Sequence, residues 1–297
     1  MNLRLLNQPH LAFQLKLLWN GLAGAVKPII KHPKGKIKII PAEIGVWMIG
    51  HATVLINFYG TTILTDPVFI NWLPFPRRIT AAGYLADELP NIDYLLISHA
   101  HLDHLNKRSL RQLSGKTKKL VVPVRCSDLV AGLGFRHIIE VDWETTHALP
   151  EFTLHSFKPI HWGERYPWQR KNRGYNSYLL QKKNKTIFFC GDSAYGELFK
   201  KIGQQSRIDL ALLPIGAYAP GSLRRVHMDP FDAMEAFSDL AATYFVPIHW
   251  GNFRLSLESP EEPPRILERL SQITKTTEQI YILKNGESIN FGEIQSD

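Results

Sequence analysis

Ser98-His99-Ala100-His101-Leu102-Asp103-His104 follows directly on the apolar run Tyr94-Leu95-Leu96-Ile97. A short uninterrupted apolar run of this kind is what a strand buried on both faces requires. In extended backbone, residues two apart point the same way, so His99 and His101 can converge on one cation. The chain must then turn, because residues 106–113 have helical composition, and Asp103 and His104 at that turn can face a second cation close by. Neutral imidazole and carboxylate suit zinc and related divalent ions. The alternative is a histidine-rich polar turn, which has to gather four ligand-type side chains within six positions at a strand end by accident.

Further ligands have to come from distant strand ends. Three candidates sit where β-rich runs stop: His161 after Lys158-Pro159-Ile160, Asp192 after residues 188–191, and His249 after residues 245–248. Alone, each reads as a cap or a satisfied polar group. Together they complete a two-cation site in which Asp192 can bridge and a hydroxide between the ions becomes a nucleophile at neutral pH.

Around these positions the pattern is short β-rich runs that later alternate with helical segments. Residues 46–49, 53–58 and 61–65 read as strands, with Tyr59-Gly60 as a hairpin turn. Further strands are expected at 94–97, 120–122, 152–157, 177–180, 187–190, 210–213 and 244–248. Asp229-Pro230 supplies an N-cap and a first-turn proline for a helix running to about Ala241, and residues 262–270 read as another. No internal repeat is evident, so one domain over residues 41–297 is the simplest organisation.

The 297 residues suffice for a sizeable core, and 44% hydrophobic with 21% charged residues is ordinary for a globular protein. Cys126 and Cys190 are too few for a disulfide framework and read as buried free thiols. Net charge is +8, yet seven of the 35 basic residues precede the first acid, Glu43, and leave a body of 28 bases against 27 acids. A nucleic-acid partner is therefore not expected. Residues 1–40 form a basic amphipathic segment whose longest uncharged run, 17–26, is too short to span a bilayer. Two readings stand for residues 1–36: an interfacial helix giving peripheral membrane contact, or a helix docked on its own domain. A cytoplasmic location is expected. Oligomeric state is not legible.

The unbroken HxHxDH at residues 99–104 resembles the hallmark of the metallo-β-lactamase superfamily. Gly50-His51-Ala52-Thr53-Val54-Leu55, Leu64-Thr65-Asp66-Pro67, Gly191-Asp192, Pro214 to Tyr218, His227-Met228-Asp229-Pro230 and Ile248-His249-Trp250-Gly251 narrow it. In matching order over roughly residues 47–270, they resemble the N-acylphosphatidylethanolamine-hydrolysing phospholipase D group and, less closely, ascorbate-6-phosphate lactonase relatives. The resemblance implies an α/β fold, a four-layered αββα sandwich with metals at one edge. It implies that His99, His101 and His161 hold one zinc, that Asp103, His104 and His249 hold the other, and that Asp192 bridges, with manganese or iron as other occupants. Flavodiiron relatives carry an acid where His101 stands, which disfavours an iron redox centre.

Five other residues or groups of residues bear on catalysis. His227, just before the helix start, aligns with a histidine near the site in the phospholipase group and would contact the phosphoryl group or protonate the leaving oxygen, unless it is a surface cap. Asp66 occupies a family position that orients a ligand imidazole, or is a plain turn carboxylate. His51, after Gly50, reads first as a core histidine bonded to backbone, and otherwise as a residue that orients a ligand as Asp66 would. Arg165, Arg170, Lys171 and Arg173, interleaved with Tyr166 and Trp168, would receive an anionic headgroup or lie in a solvated loop, while Trp72, Leu73 and Phe75 with Arg77 and Arg78 would meet acyl chains or form a lid anchored in the core.

The leading expectation is a metal-dependent hydrolase, phospholipase D-like, acting on a phosphodiester of a phospholipid, with Asp103 and His227 in catalytic roles. The runner-up is a lactonase or ester hydrolase acting on a small anionic metabolite. A metal-binding module without turnover is the third, and the complete ligand set argues against it.

Overall fold

Leu95 and Leu96 are adjacent and both inaccessible, yet they belong to different apolar clusters, one on each face of their sheet. Phe188 and Phe189 repeat the pattern in a second sheet. That two-sided burial is why the strands carry continuous apolar runs instead of alternation. The structure, a computed structural model, describes residues 37–41, 43–73, 76–166, 168–169 and 172–291. Residues 1–36, Phe75, Arg170 and Lys171 lie outside these, so the expectations placed on them do too.

In chain order, the first sheet is built from β1 (Ile44–Gly50), β2 (Thr53–Phe58), β3 (Thr61–Thr65) and β4 (Ile92–Leu96), then α1 (Lys107–Leu113), β5 (Thr117–Pro123), α2 (Ser127–Val130) and β6 (Ile138–Val141). The second sheet follows: β7 (Thr146–Ala148), β8 (Thr153–Phe157), β9 (Ser177–Lys182), β10 (Lys185–Phe189), α3 (Glu197–Gln205), β11 (Leu210–Pro214), α4 (Pro230–Asp239) and β12 (Tyr244–Ile248). After α5 (Glu262–Thr274), β13 (Ser288–Asn290) returns to the first sheet. The orders are β13-β1-β2-β3-β4-β5-β6 and β12-β11-β10-β9-β8-β7.

Val46, Met48, Ile56 and Leu96 of the first sheet pack against Leu154, Leu180, Phe189 and Leu212 of the second. On the outer face of the first sheet, Ile97 and Leu120 meet Leu110, Leu113 and Val130 of the α1–α2 side. On the outer face of the second, Phe188 and Phe245 meet Phe199, Ala236 and Leu267 of α3, α4 and α5. The result is the four-layered αββα sandwich expected. At about 1.5–3 kcal/mol for each large side chain removed from water, these three clusters dominate its stability.

Within the first sheet β3, β4, β5 and β6 run parallel, and within the second β10, β11 and β12 do. Parallel neighbours need crossovers, which carry the helices, and their carboxyl ends open at one edge where loops gather. Asp66 ends β3, residues 99–104 follow β4, and Asp192 and His249 follow β10 and β12.

Strand and helix expectations agree with the structure at most positions. The Tyr59-Gly60 hairpin turns with both residues at positive φ, 49° and 83°. Asp229 caps α4 in a reciprocal capping box with Asp232. The expectation missed α2, α3, β6, β7 and β13. The last three are short edge or terminal segments with few buried side chains, and α3 commits only Phe199 and Ile202 to the core. Both cysteines are free and buried, as expected.

Candidate metal centre

Asp66 is the pivot of the local geometry. Wholly buried at a φ of 33°, it accepts the Ser98 backbone N–H at 2.7 Å, the Ser98 hydroxyl, and Nδ1–H of His104 at 2.7 Å. The bond to His104 fixes the tautomer, leaving the Nε2 lone pair to face inward. Because the Ser98 hydroxyl proton goes to Asp66, its oxygen accepts from His99 Nδ1 at 2.9 Å, which turns His99 Nε2 inward too. The Val226 carbonyl accepts from His161 Nδ1 at 2.9 Å with the same consequence. Three imidazoles from distant chain positions thus present acceptor nitrogens to one place.

There, two groups of ligand atoms form. In the first, His101 Nδ1 lies 2.8 Å from His99 Nε2 and 3.4 Å from His161 Nε2, and both Nε2 atoms lie 3.8 Å from Asp192 Oδ2. In the second, His104 and His249 Nε2 each lie 3.2 Å from Asp192 Oδ2 and 3.6 Å from Asp103 Oδ2. Ligands about 2.0–2.1 Å from a tetrahedral zinc stand roughly 3.3 Å apart, close to these separations. Converging lone pairs and carboxylates repel one another unless a proton or cation lies between them. His104 Nε2, His249 Nε2 and Asp192 Oδ1 are buried without a hydrogen-bond partner, so the donor set fits divalent cations.

The electrostatics point the same way. Burial above all pushes His99 and His161 well below the ordinary imidazole range, and His101 down to about 4, which keeps these nitrogens unprotonated for coordination. Burial would hold Asp103 and Asp192 up, but neighbouring imidazoles, His104 first, hold both carboxyls well below the usual carboxylate range. In the metal-free centre, burial opposes protonation of His104 and His249, yet Asp192 and Asp103 overcome it, lifting His104 well above its ordinary value and His249 to about 9. Two imidazoles thereby carry protons where cations fit.

Residues 61–250 match the model of a family described as the beta-lactamase superfamily domain. The chain belongs to the metallo-β-lactamase superfamily. It is 32% identical over 229 residues to the mitochondrial N-acyl-phosphatidylethanolamine-hydrolyzing phospholipase D of Saccharomyces cerevisiae, a match covering 72% of this chain and 49% of that one. The chain thus spans about half the length of that relative. It is 26% identical to a metal-dependent hydrolase of Caldivirga maquilingensis, over 82% of this chain and 96% of that protein. Among solved structures, a possible metal-dependent hydrolase from Veillonella parvula superposes with a TM-score of 0.71 at 15% identity, covering 84% of this chain and 99% of the other, and shares the fold. The chain thus carries the superfamily's fold together with a donor set that fits divalent cations.

All seven sequence-predicted ligands, with Asp66 behind them, therefore meet at one edge of the sandwich. His227 joins them: it is buried, and its Nδ1, without a hydrogen-bond partner, lies 3.8 Å from Asp192 Oδ2. It is not a surface cap. His51 requires a correction, since its Nε2 bonds Asp103 Oδ2 at 3.1 Å, and not backbone, while its ring lies 4.1 Å from that of His249. His51 and His249 both hold left-handed backbone, φ 63° and 61°, and the His249 N–H donates to the His51 carbonyl at 3.0 Å. Strained backbone of this kind persists where the surroundings over-determine it, often at functional sites. Gly50 before a histidine was the available sequence signal.

Trp162 was also missed. Its indole lies 4.3 Å from the His161 ring and 4.6 Å from the His101 ring, and it is 40% exposed, so it forms a wall of the mouth. Among the described residues, Arg173 and Arg78 are not free to receive an anion. Arg173 is buried and paired with Asp128 at 2.5 Å. Arg78 is buried, reaches the Val68 and Ile70 carbonyls and Asn252, and so anchors its loop to the core, while Arg77 stacks on exposed Trp72.

Proposed function

We propose that this protein is a hydrolase that holds two divalent cations, zinc first among them with manganese or iron as alternatives, and cleaves a phosphodiester of a phospholipid such as N-acylphosphatidylethanolamine. One observation supports the binuclear reading above others: a single oxygen, Asp192 Oδ2, stands between two separate groups of ligand nitrogens. The phospholipid reading is supported by similarity to the yeast enzyme. When bound, such ions polarise phosphoryl oxygens and acidify a water to serve as nucleophile at neutral pH.

The chain's own residues orient the reaction. Asp103 serves as ligand while His51 holds the oxygen it presents. Burial pushes His227 down to about 4, so at neutral pH its imidazole is uncharged. It therefore acts as a hydrogen-bond donor to a phosphoryl or leaving oxygen, and not as an imidazolium acid. Trp162 borders the leaving group and excludes water from one side. Peripheral membrane contact through residues 1–36 belongs to the same proposal. Deleting them should reduce co-sedimentation with anionic liposomes, and unchanged binding would reject the contact. Among the described residues no helix is long and apolar enough to cross a membrane.

Lactone or carboxylic-ester hydrolysis on a small anionic metabolite is the second reading, favoured by the engagement of Arg173 and Arg78 in internal contacts that leave neither as a phosphate clamp. Zinc- and manganese-loaded protein assayed against bis(p-nitrophenyl)phosphate, N-acylphosphatidylethanolamine and a lactone panel separates the two. Turnover of lactones alone would reject the phosphodiester reading, and elemental analysis showing one ion per chain would reject the binuclear one.

A further inference from the structure

The loop bearing four of the ligands is gripped from outside by Arg165. Its Nη1 donates to the Ala100 carbonyl at 2.9 Å and to the Leu105 carbonyl at 2.7 Å. These carbonyls bracket His101, Asp103 and His104. Inside the bracket, the His101 carbonyl accepts the N–H groups of His104 and Leu105 at 3.2 and 2.8 Å, so the chain reverses tightly between the two anchor points. The opposite side of the loop is held differently: Leu102 packs against the apolar cluster of Val68, Leu73 and Phe253.

The arm that carries Arg165 is itself fixed. A Cβ at Gly163 would lie 2.2 Å from the Arg173 carbonyl oxygen, so only glycine permits this approach, and the Gly174 N–H donates to Val124 O at 2.8 Å just beyond β5. Trp162, one residue before Gly163, rests on His101 and His161. The same short segment therefore walls the mouth and spans the metal loop.

We propose that Arg165 is a positioning residue for the metal centre. By tying Ala100 to Leu105 through one nitrogen, it sets the span across which His101 turns toward one group of ligands while Asp103 and His104 turn toward the other. Its guanidinium is permanently charged and rigid, so both bonds form with little loss of rotamer freedom. The inference rests on reading those residues as cation ligands, but not on which ester is cleaved.

The test uses the full chain loaded with Co(II), whose visible spectrum reports ligand geometry, and zinc release to excess chelator. In Arg165→Met the donors are gone at similar length. Its cobalt spectrum should shift and zinc should leave faster, by about 10–100-fold when the affinity lost on removing a group that orients ligands falls on the release step. Arg165→Lys retains three donors that can reach both carbonyls, so it should fold, hold cobalt with a near-native spectrum and release zinc at an intermediate rate. A purely structural role would lower the melting temperature without moving spectrum or release. Arg165→Met matching wild type in both overturns the clamp alone. Wild type that takes up no cobalt overturns the metal reading and the clamp with it.

Discussion

Replacing Asp66 by asparagine is the most searching perturbation of this centre, because Asp66 touches no proposed cation yet sets the ligand that does. The carboxylate accepts three hydrogen bonds, from the Ser98 N–H, the Ser98 hydroxyl and His104 Nδ1–H. An amide keeps one acceptor oxygen and places an NH2 group where the other stood, so one of these donors then faces a donor. The residue is completely buried, and no water takes over the lost bond at low cost. A hydrogen bond to a charged group is worth about 1.5–3 kcal/mol. If His104 responds by moving its proton to Nε2, the lone pair aimed at Asp192 and Asp103 disappears. At about 1.4 kcal/mol per factor of ten, cation affinity at the group formed by Asp103, His104 and His249 should fall about 10–100-fold, with the His99, His101 and His161 group much less affected. Competition against a calibrated chelator, resolving two binding steps, measures this. Two wild-type steps in Asp66→Asn would refute the tautomer argument, and equal weakening of both would show that Asp66 supports the whole edge and not one imidazole.

Other expectations concern neighbouring groups. His51→Asn, which tolerates the left-handed backbone, removes the bond to Asp103 and should weaken the same binding step by about tenfold; calorimetric titration showing no change would return His51 to a packing role. Gly191→Ala places a Cβ 2.6 Å from Ser98 Cβ at a φ of 65°, so it should destabilise by about 1–3 kcal/mol, and an unchanged denaturation midpoint would contradict this. For the metal-free protein, His51, His99, His101, His161 and His227 have folded pKa values below that of the unfolded chain, so between about pH 4 and 6.5 the unfolded state binds more protons and stability rises with pH. His104 and His249 are raised, so their contribution is full below about pH 6.5 and is lost as pH climbs through about 9. Melting temperature after chelation should therefore peak near neutrality; one that keeps rising from pH 7 to 9 would be inconsistent. Adding zinc back should raise it in proportion to the logarithm of free zinc.

The buried strands and the candidate ligands were legible because their signals are local, and the αββα arrangement followed from the resemblance that those motifs carry. A strand buried on both faces has to be written as a continuous apolar run, and HxHxDH encodes in six consecutive positions which side chains can meet at its end. His161, Asp192 and His249 were visible as strand-end residues, since parallel strands deliver their carboxyl ends to one edge. The short elements β6, β7 and β13 bury too little to leave a pattern. What the tertiary structure alone decided were contacts between segments remote in sequence: His51 on Asp103, Arg165 on Ala100 and Leu105, Arg173 on Asp128, and the direction His227 faces. An arginine reads the same in sequence whether it awaits an anion or closes a loop. Only the position of the acceptor it finds, set by packing two sheets against each other, tells the two apart.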